Sequence, residues 1–334
     1  GALVDVSRAL LPWHGEVLRR ALDLQQQQHL PHAVLLDAPS ELQIEALAHY
    51  LAGLLLCDQR ENLQICGSCE ACRMMAAGTY ADFSAVTLEP DEKTKKMSKI
   101  IKIEQVRNLI HELSLTRKFD RLKIAVIYPA DSMNKSSANA LLKTLEEPAP
   151  QVLLLLVTHN PGRIPITLRS RCQHWTIHQP DRAQSLDWLQ TQGLDADVAA
   201  EYLQFAGGDP LLAQYLQQQD FARLVDDFKP RLSAFLQGRL SCSELSKGLL
   251  TSENALVRRL LEMALNGYCY QASGISSSAA TSNTAGDPAK ARQLLDLRAR
   301  AQRQLLVEEN NLDFQIQLED VLISLKQILT RRLN

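Results

Sequence analysis

The sequence predicts an α/β module, a parallel sheet flanked by helices, that gives way to helices alone. Short apolar runs alternate with stretches of helical period as far as about residue 178. Two of the runs, IAVI at 124–127 and VLLLLV at 152–157, are apolar throughout. A strand covered on one face alternates in character, whereas one covered on both faces does not, and parallel sheets are covered on both. From Asp181 onward no strand alternation is left.

Taken in order, strands are expected at Ala33–Leu36, Phe83–Leu88, Ile124–Ile127 and Val152–Val157. Ile44, Leu47, Leu51, Leu54 and Leu55 repeat at spacings of three and four, as one face of a helix does, and so do Ala138, Leu141, Leu142 and Leu145. Pro148 stops the second of these helices. Trp188, Leu189, Leu203, Phe205 and Leu211 to Leu216 suggest short helices, broken at Gly207-Gly208-Asp209-Pro210. Longer helices are expected from Asp226 to the end, with the small, polar stretch Ser273–Pro288 as a loop or disordered insert between two of them. The final helix gathers Leu318, Val321, Leu322, Leu325, Ile328 and Leu329 on one broad face, to be buried in its own core or against a partner's helix.

At 334 residues the chain is long enough for two or three domains. Aromatics make up only 5% of it, so Leu, Ile, Val and Ala must build the core, which favours helical packing over a sandwich. The 36 Lys+Arg nearly cancel the 38 Asp+Glu, so any contact with nucleic acid has to be local. One such locality exists: residues 93–143 hold twelve Lys or Arg against four Asp or Glu. Lys95, Lys96, Lys99 and Lys102 are candidate contacts to a DNA backbone, with a solvated turn as the plainer reading; Arg117, Lys118, Arg121 and Lys123 follow. Few aromatics accompany them, so stacking on single-stranded bases has little support. No apolar run is long enough to cross a bilayer. The first residues, GALVDVSRALLPW, show no basic segment followed by an apolar one, so no secretory leader is expected. Seven cysteines, an odd number with four clustered, fit a reducing cytoplasm better than a disulfide framework.

Cys57, Cys66, Cys69 and Cys72 form C-x8-C-x2-C-x2-C. Two-residue gaps let thiolates turn onto one tetrahedral ion, and Cys57, at the end of the Leu51–Leu55 helix, can close it from the other side. Four thiolates leave no open position for water, so a zinc here is structural. An iron–sulfur cluster and a metal-free set of buried thiols are the alternatives. Cys172, Cys242 and Cys269 are isolated, and core packing is their expected role.

The segment HAVLLDAPSELQIEALAHYLAGLLL has the order of a nucleotide-binding unit: strand, short loop, long helix. A phosphate loop needs G-x-x-x-x-G-K-[ST], for backbone N–H groups around the phosphates, a Lys on the β and γ oxygens, and a hydroxyl on magnesium. In that register Ala38 and Gln43 replace the glycines, Ile44 the lysine and Glu45 the hydroxyl. Glu41 and Glu45 would set negative charge where phosphates sit. After the strand at 124–127, where an ATPase offers Asp-Glu for magnesium and water, the chain offers Tyr128 and Pro129; Asp131 lies beyond. Neither ATP binding nor hydrolysis by this chain is expected.

The stretch ADSMNKSSANALLKTLEEPAPQVLLLLVTHNPGRIPITLRSRC, residues 130–172, resembles the core of the bacterial DNA polymerase III clamp-loader family. Its AAA+ module carries N-A-L-L-K-x-L-E-E-P, here Asn139–Pro148, then an apolar strand ending in a polar sensor residue, here Thr158, then S-R-C, here Ser170-Arg171-Cys172. The cysteine insert 57–72 is shared with that family. The resemblance covers about residues 10–215 and continues weakly to NLDFQIQLEDVLISL. The motor subunits keep both nucleotide motifs; keeping S-R-C without them is the mark of the complex's non-hydrolysing stator. The delta subunit would lack the knuckle and S-R-C together.

The resemblance implies an AAA+ domain at 1–178, a helical lid at 179–220 and a helical collar for oligomerisation at 221–334. It implies Arg171 as an arginine finger acting in trans on ATP held by the adjacent motor subunit, with a local salt bridge as the plainer role and Arg169 as the fallback. Such a group offsets charge developing on a transferring phosphate and is worth about 10³ to 10⁵ in rate in GTPases. Thr158 sits at the sensor position, and the second sensor falls near Pro210. The implied partners are the gamma/tau motors, the delta subunit and, transiently, the sliding clamp and primed DNA. Two other classes stand against this: an atypical autonomous AAA+ ATPase, opposed by Ile44 and Glu45, and a zinc-stabilised DNA-binding protein, opposed by the near-neutral charge.

Overall fold

The computed structural model of the chain describes residues 11–38, 44–91, 97–119, 121–274, 287–305 and 311–330. The chain divides into two compact units, Gly1–Ser185 and Leu186–Asn334.

Five strands build the first unit: β1 (Ala33–Asp37), β2 (Phe83–Val86), β3 (Lys123–Ile127), β4 (Val152–Thr158) and β5 (Gln173–Thr176). They run parallel in the order β2-β3-β4-β1-β5. Helices α1 (Gly15–Gln26), α2 (Ile44–Leu56), α3 (Glu70–Ala76), α4 (Ile103–Ser114), α5 (Lys135–Glu146) and α6 (Ile166–Arg169) surround them. The strands' apolar character follows from this arrangement. Val34, Leu36, Val126, Leu153, Leu155 and Val157 share one core with Leu18 of α1 and Leu47, Leu51 and Leu54 of α2. Ala33, Leu35, Ala125, Ile127, Leu154 and Leu156 share another with Val106 and Leu109 of α4 and Leu141 and Leu145 of α5. Four strands lie where the sequence places them, β2 ending two residues early and β1, β3 and β4 each one residue longer. The fifth is new: QHWT buries only Trp175, so no apolar run marks it.

Neither neighbour of β1 in the sheet is its neighbour in sequence, so the strand order switches there. In such sheets ligands sit outside the carboxyl ends of the strands at the switch. Those ends are Asp37 of β1, Thr158 of β4 and Thr176 of β5.

The second unit is helical, with α7 (Arg182–Thr191) leading into it, then α8 (Ala196–Phe205), α9 (Pro210–Gln218), α10 (Phe221–Leu236), α11 (Cys242–Leu249), α12 (Asn254–Ala272), α13 (Pro288–Leu305) and α14 (Asn311–Thr330). The expected break between α8 and α9 is built as its residues dictate. Gly207 and Gly208 take positive φ, and the Asp209 carboxylate accepts from the N–H groups of Leu211 and Leu212 to cap the helix that Pro210 begins. One core runs from Leu189 to Leu325. Leu318, Val321, Leu322 and Leu325 are fully buried in it, so the broad apolar face of the last helix covers the chain's own core. Residues 275–286 of the expected insert lie outside the described residues.

The entrance to β3 holds a buried charge pair. Asp82, just before β2, accepts from the backbone N–H groups of Lys118 and Phe119 at 3.0 and 2.8 Å, and Lys123 Nζ stands 3.7 Å away. Lys123 Nζ also donates to the carbonyls of Glu112 and Leu115 at 2.9 and 3.0 Å. Removing one member of a satisfied buried pair strands the other, at a cost of about 3–5 kcal/mol. Asp82→Ala is therefore expected to lower the unfolding free energy of the first unit by about that much in urea titrations; a loss below about 1 kcal/mol, the range of an exposed pair, would contradict the arrangement.

Candidate functional site

The strand ends are closed by the chain's own groups. Thr158, fully buried, donates its hydroxyl hydrogen to Asp131 Oδ1 at 2.6 Å, and its Oγ1 accepts from the backbone N–H of Asn160 at 2.9 Å. The sensor position and the acid nearest the β3 tip thus satisfy each other. Asp131 follows Tyr128-Pro129 in a turn of 3₁₀ helix at Ala130–Ser132. On the far side of β1, Asp37 Oδ1 accepts from Thr176 Oγ1 at 3.0 Å.

Ala38, at the first glycine position, is buried and donates its N–H to the Thr158 carbonyl at 3.3 Å. Gln43 lies outside the described residues, as do 39–42. Ile44, in the lysine slot, is 2% exposed and belongs to the core shared with α1 and β1. Glu45 follows it half-buried, and burial pushes its carboxyl pKa up. Where a phosphate loop has glycine, lysine and a hydroxyl, the described positions carry a methyl group, an aliphatic side chain turned into the core and a carboxylate.

The cysteine cluster is assembled from two helices and the loop between them. Cys57 follows α2 directly, and Cys69 caps α3, whose first turn carries Cys72. All four Sγ atoms lie within 4.8 Å of one another. Tetrahedral zinc with Zn–S near 2.3 Å needs sulfurs about 3.8 Å apart, and Cys66 Sγ lies 3.9 Å from Cys72 Sγ. A cubane holds its cysteines at four separate irons and requires them splayed wider, so this set fits a single ion. Backbone N–H groups are aimed at the sulfurs, Cys66 to Cys57 at 3.4 Å, Cys69 to Cys66 at 3.3 Å and Cys72 to Cys69 at 3.5 Å. Those of Cys69 and Ser68 bring the Cys66 thiol down to about 6. Burial instead pushes Cys57 and Cys72 up, and a bound cation would reverse that. Asp58 ties the knuckle to the sheet through Arg121 at 2.9 Å. The other three thiols lie apart: Cys269 is buried in the helical core, Cys242 packs on it, and burial raises Cys172 to about 11.

Arg171 stands between α6 and β5 with its side chain 35% exposed. Its Nη2 and Nε donate to the same Glu146 oxygen at 2.6 and 3.0 Å, and Nη1 donates to the Thr167 carbonyl at 2.9 Å. An exposed pair of this kind contributes about 0–1 kcal/mol, little enough for the guanidinium to remain available to a stronger anion. Arg169, the fallback, has a buried Nε without a hydrogen-bond partner.

The basic segment is smaller than its net charge suggests. Lys95 and Lys96 lie outside the described residues. Lys99 is exposed, and Lys102, at the start of α4, reaches within 3.8 Å of Asp91. Lys123, counted with them, is buried on Asp82, Arg121 pairs with Asp58, and Arg117 donates to the Arg121 carbonyl at 2.9 Å. Counting charge cannot separate such roles. Sequence reasoning also missed Glu146 as the partner of Arg171, and no local pattern marks it. Asp131 is visible in the sequence by its place after β3, but its bond to Thr158 depends on the β3–β4 register.

Residues 13–181 match the family described as DNA polymerase III, delta subunit. Over 218 residues the chain is 36% identical to DNA polymerase III subunit delta' of Pseudomonas aeruginosa, which covers 65% of each chain. It is 33% identical over 215 residues to the Yersinia pestis protein of the same name, 63% of this chain and 62% of that one. For Escherichia coli K12 the figures are 32% over 212 residues, 63% and 61%. The matches thus span less than two thirds of these relatives' own length.

The geometry of the knuckle gives an expected outcome of its own. Elemental analysis of purified chain should return about one tetrahedral metal ion per molecule. Replacing Cys66 and Cys69 by Ser should abolish it and lower the melting temperature of the first unit. Stoichiometric metal retained by the double variant, or unchanged melting, would contradict a structural site.

Proposed function

Since the chain belongs to the DNA polymerase III, delta subunit family and is homologous to delta-prime subunits of its AAA+ clamp loader, we propose that it is the stator of such a complex. In this reading it neither binds nor hydrolyses ATP. It lends Arg171 to ATP held by the adjacent gamma/tau motor subunit while the sliding clamp is loaded onto primed DNA. The observation that carries the reading is a mismatch within one module: the strand tips and α2 lack every phosphate-binding group at Ala38, Ile44, Glu45, Tyr128 and Pro129, while Arg171 stands at the surface.

The chemistry asked of Arg171 is electrostatic. Charge builds on the equatorial oxygens of a transferring phosphoryl group, and a positioned guanidinium stabilises it without taking part in bond making. The group needs no pocket behind it, only a rigid support, and α6 and β5 supply one on either side. Thr158 and Asp131, hydrogen-bonded to each other, keep the tip of the sheet ordered with no nucleotide to organise it.

Cys57, Cys66, Cys69 and Cys72 would hold zinc, which supplies folding energy and no reaction chemistry, because four thiolates close its coordination. The helical unit divides in function into a lid over 179–220 and a collar over 221–334 that joins the motor and delta subunits. Lys99 and Lys102, with Lys95 and Lys96 beyond the described residues, supply weak, salt-dependent contact to the DNA backbone inside the assembly. The complex works in the bacterial cytoplasm. Among the described residues no helix is long and apolar enough to cross a membrane.

Two measurements test this. The isolated chain should show no saturable binding of a fluorescent ATP analogue with magnesium present; saturable binding would overturn the degenerate pocket. In the reconstituted complex, Arg171→Ala should leave assembly intact and cut clamp- and DNA-stimulated ATP hydrolysis by about tenfold or more. A rate equal to wild type would remove the finger.

A further inference from the structure

The Arg171 guanidinium is held at three of its nitrogens by its own chain, and the holding group is an acid in an unfavourable place. Glu146 is the last residue of α5. A carboxylate there faces the negative end of the helix dipole, where local stability favours a cation. The pair it makes is exposed and adds little stability. A residue that breaks a local rule without a local gain points to a functional requirement.

Geometry supplies the requirement. An arginine carries five N–H donors in a planar fork. Glu146 Oε1 takes the side edge of the fork, from Nε at 3.0 Å and Nη2 at 2.6 Å. The Thr167 carbonyl takes one donor of Nη1 at 2.9 Å. Nη2 keeps its second N–H, and Nη1 can release one of its own by giving up the long 3.5 Å contact to Ser170 Oγ. Two parallel N–H groups are what two oxygens of a phosphate accept from an arginine. A free arginine would sample many rotamers, and only a few would present that pair.

Resting on the reading of Arg171 as a trans finger, we propose that Glu146 is its positioning residue: the carboxylate fixes the plane of the guanidinium from the side and leaves the outer N–H of Nη2, with the Nη1 N–H that the weak Ser170 contact gives up, for the neighbouring subunit's γ-phosphate. In this role Glu146 contacts none of the reacting atoms. Its effect passes through Arg171 and appears in the rate of the chemical step, because misplacing a catalytic group by about 1 Å can cost up to 10²-fold. The core contacts of Leu141 and Leu145 on the same helix anchor Glu146 to the sheet.

The test is a double-mutant cycle in the reconstituted complex with full-length chains, reading kcat and KM for clamp- and primed-DNA-stimulated ATP hydrolysis, with assembly followed by size exclusion. E146A should lower kcat roughly 3- to 10-fold with KM unchanged. E146Q, which keeps an acceptor oxygen, should fall between E146A and wild type. The double variant E146A/R171A should be no slower than R171A alone, since a positioning residue has nothing to act through once the finger is gone. Should E146A fold or assemble poorly, E146Q completes the same cycle. Full or raised activity of E146A beside a slow R171A would overturn the positioning role and leave the finger standing. A double variant slower than R171A by the factor E146A shows alone would overturn it too, placing Glu146 elsewhere in the reaction. An unimpaired R171A would remove the finger itself, and this inference with it.

Discussion

A nucleoside triphosphate is held where its negative charge is met by N–H groups, an ammonium and a hydroxyl-bound metal ion, and at the corresponding positions this chain carries Ala38, Ile44 and Glu45. At the carboxyl edge of the sheet Thr158 donates to Asp131 at 2.6 Å. Beside it Ile44 is turned into the core, and burial raises the Glu45 carboxyl. The strands are stabilised by apolar cover on both faces, and that cover does not depend on phosphate.

Polar devices tie the edges of the module together. Asp82 and Lys123 stitch the start of β3 to the start of β2 and the end of α4. The cysteine knuckle closes the crossover after α2, and Asp58 bonds it to Arg121 at the approach to β3. The proposed role calls for a rigid module, since a group lent to a neighbour acts only as well as it is placed.

How much of this was legible in the sequence depended on whether the signal was local. β3 and β4 were legible because strands buried on both faces are apolar at every position, and the knuckle because metal ligands cluster in sequence. β5 was not, since an edge strand that buries Trp175 alone has no apolar run. α4 buries Val106, Leu109 and Leu113 at helical spacing, a signal that the run of lysines before it masks in composition. Lys123 reads as one more surface cation until its burial on Asp82 is known. Glu146 and Arg171 are 25 residues apart and Asp131 and Thr158 are 27 apart, so both pairings exist only through tertiary structure.

The central claim is that the chain holds no nucleotide of its own yet completes a neighbour's site. A structure of the assembled complex with magnesium and a non-hydrolysable ATP analogue tests it most directly. The account predicts nucleotide in the motor subunits, none over Ile44 and Glu45 of this chain, and the Arg171 guanidinium within hydrogen-bond reach of a γ-phosphate across the subunit boundary. Nucleotide seated on this chain's own strand edge, or Arg171 remote from every phosphate, would contradict it.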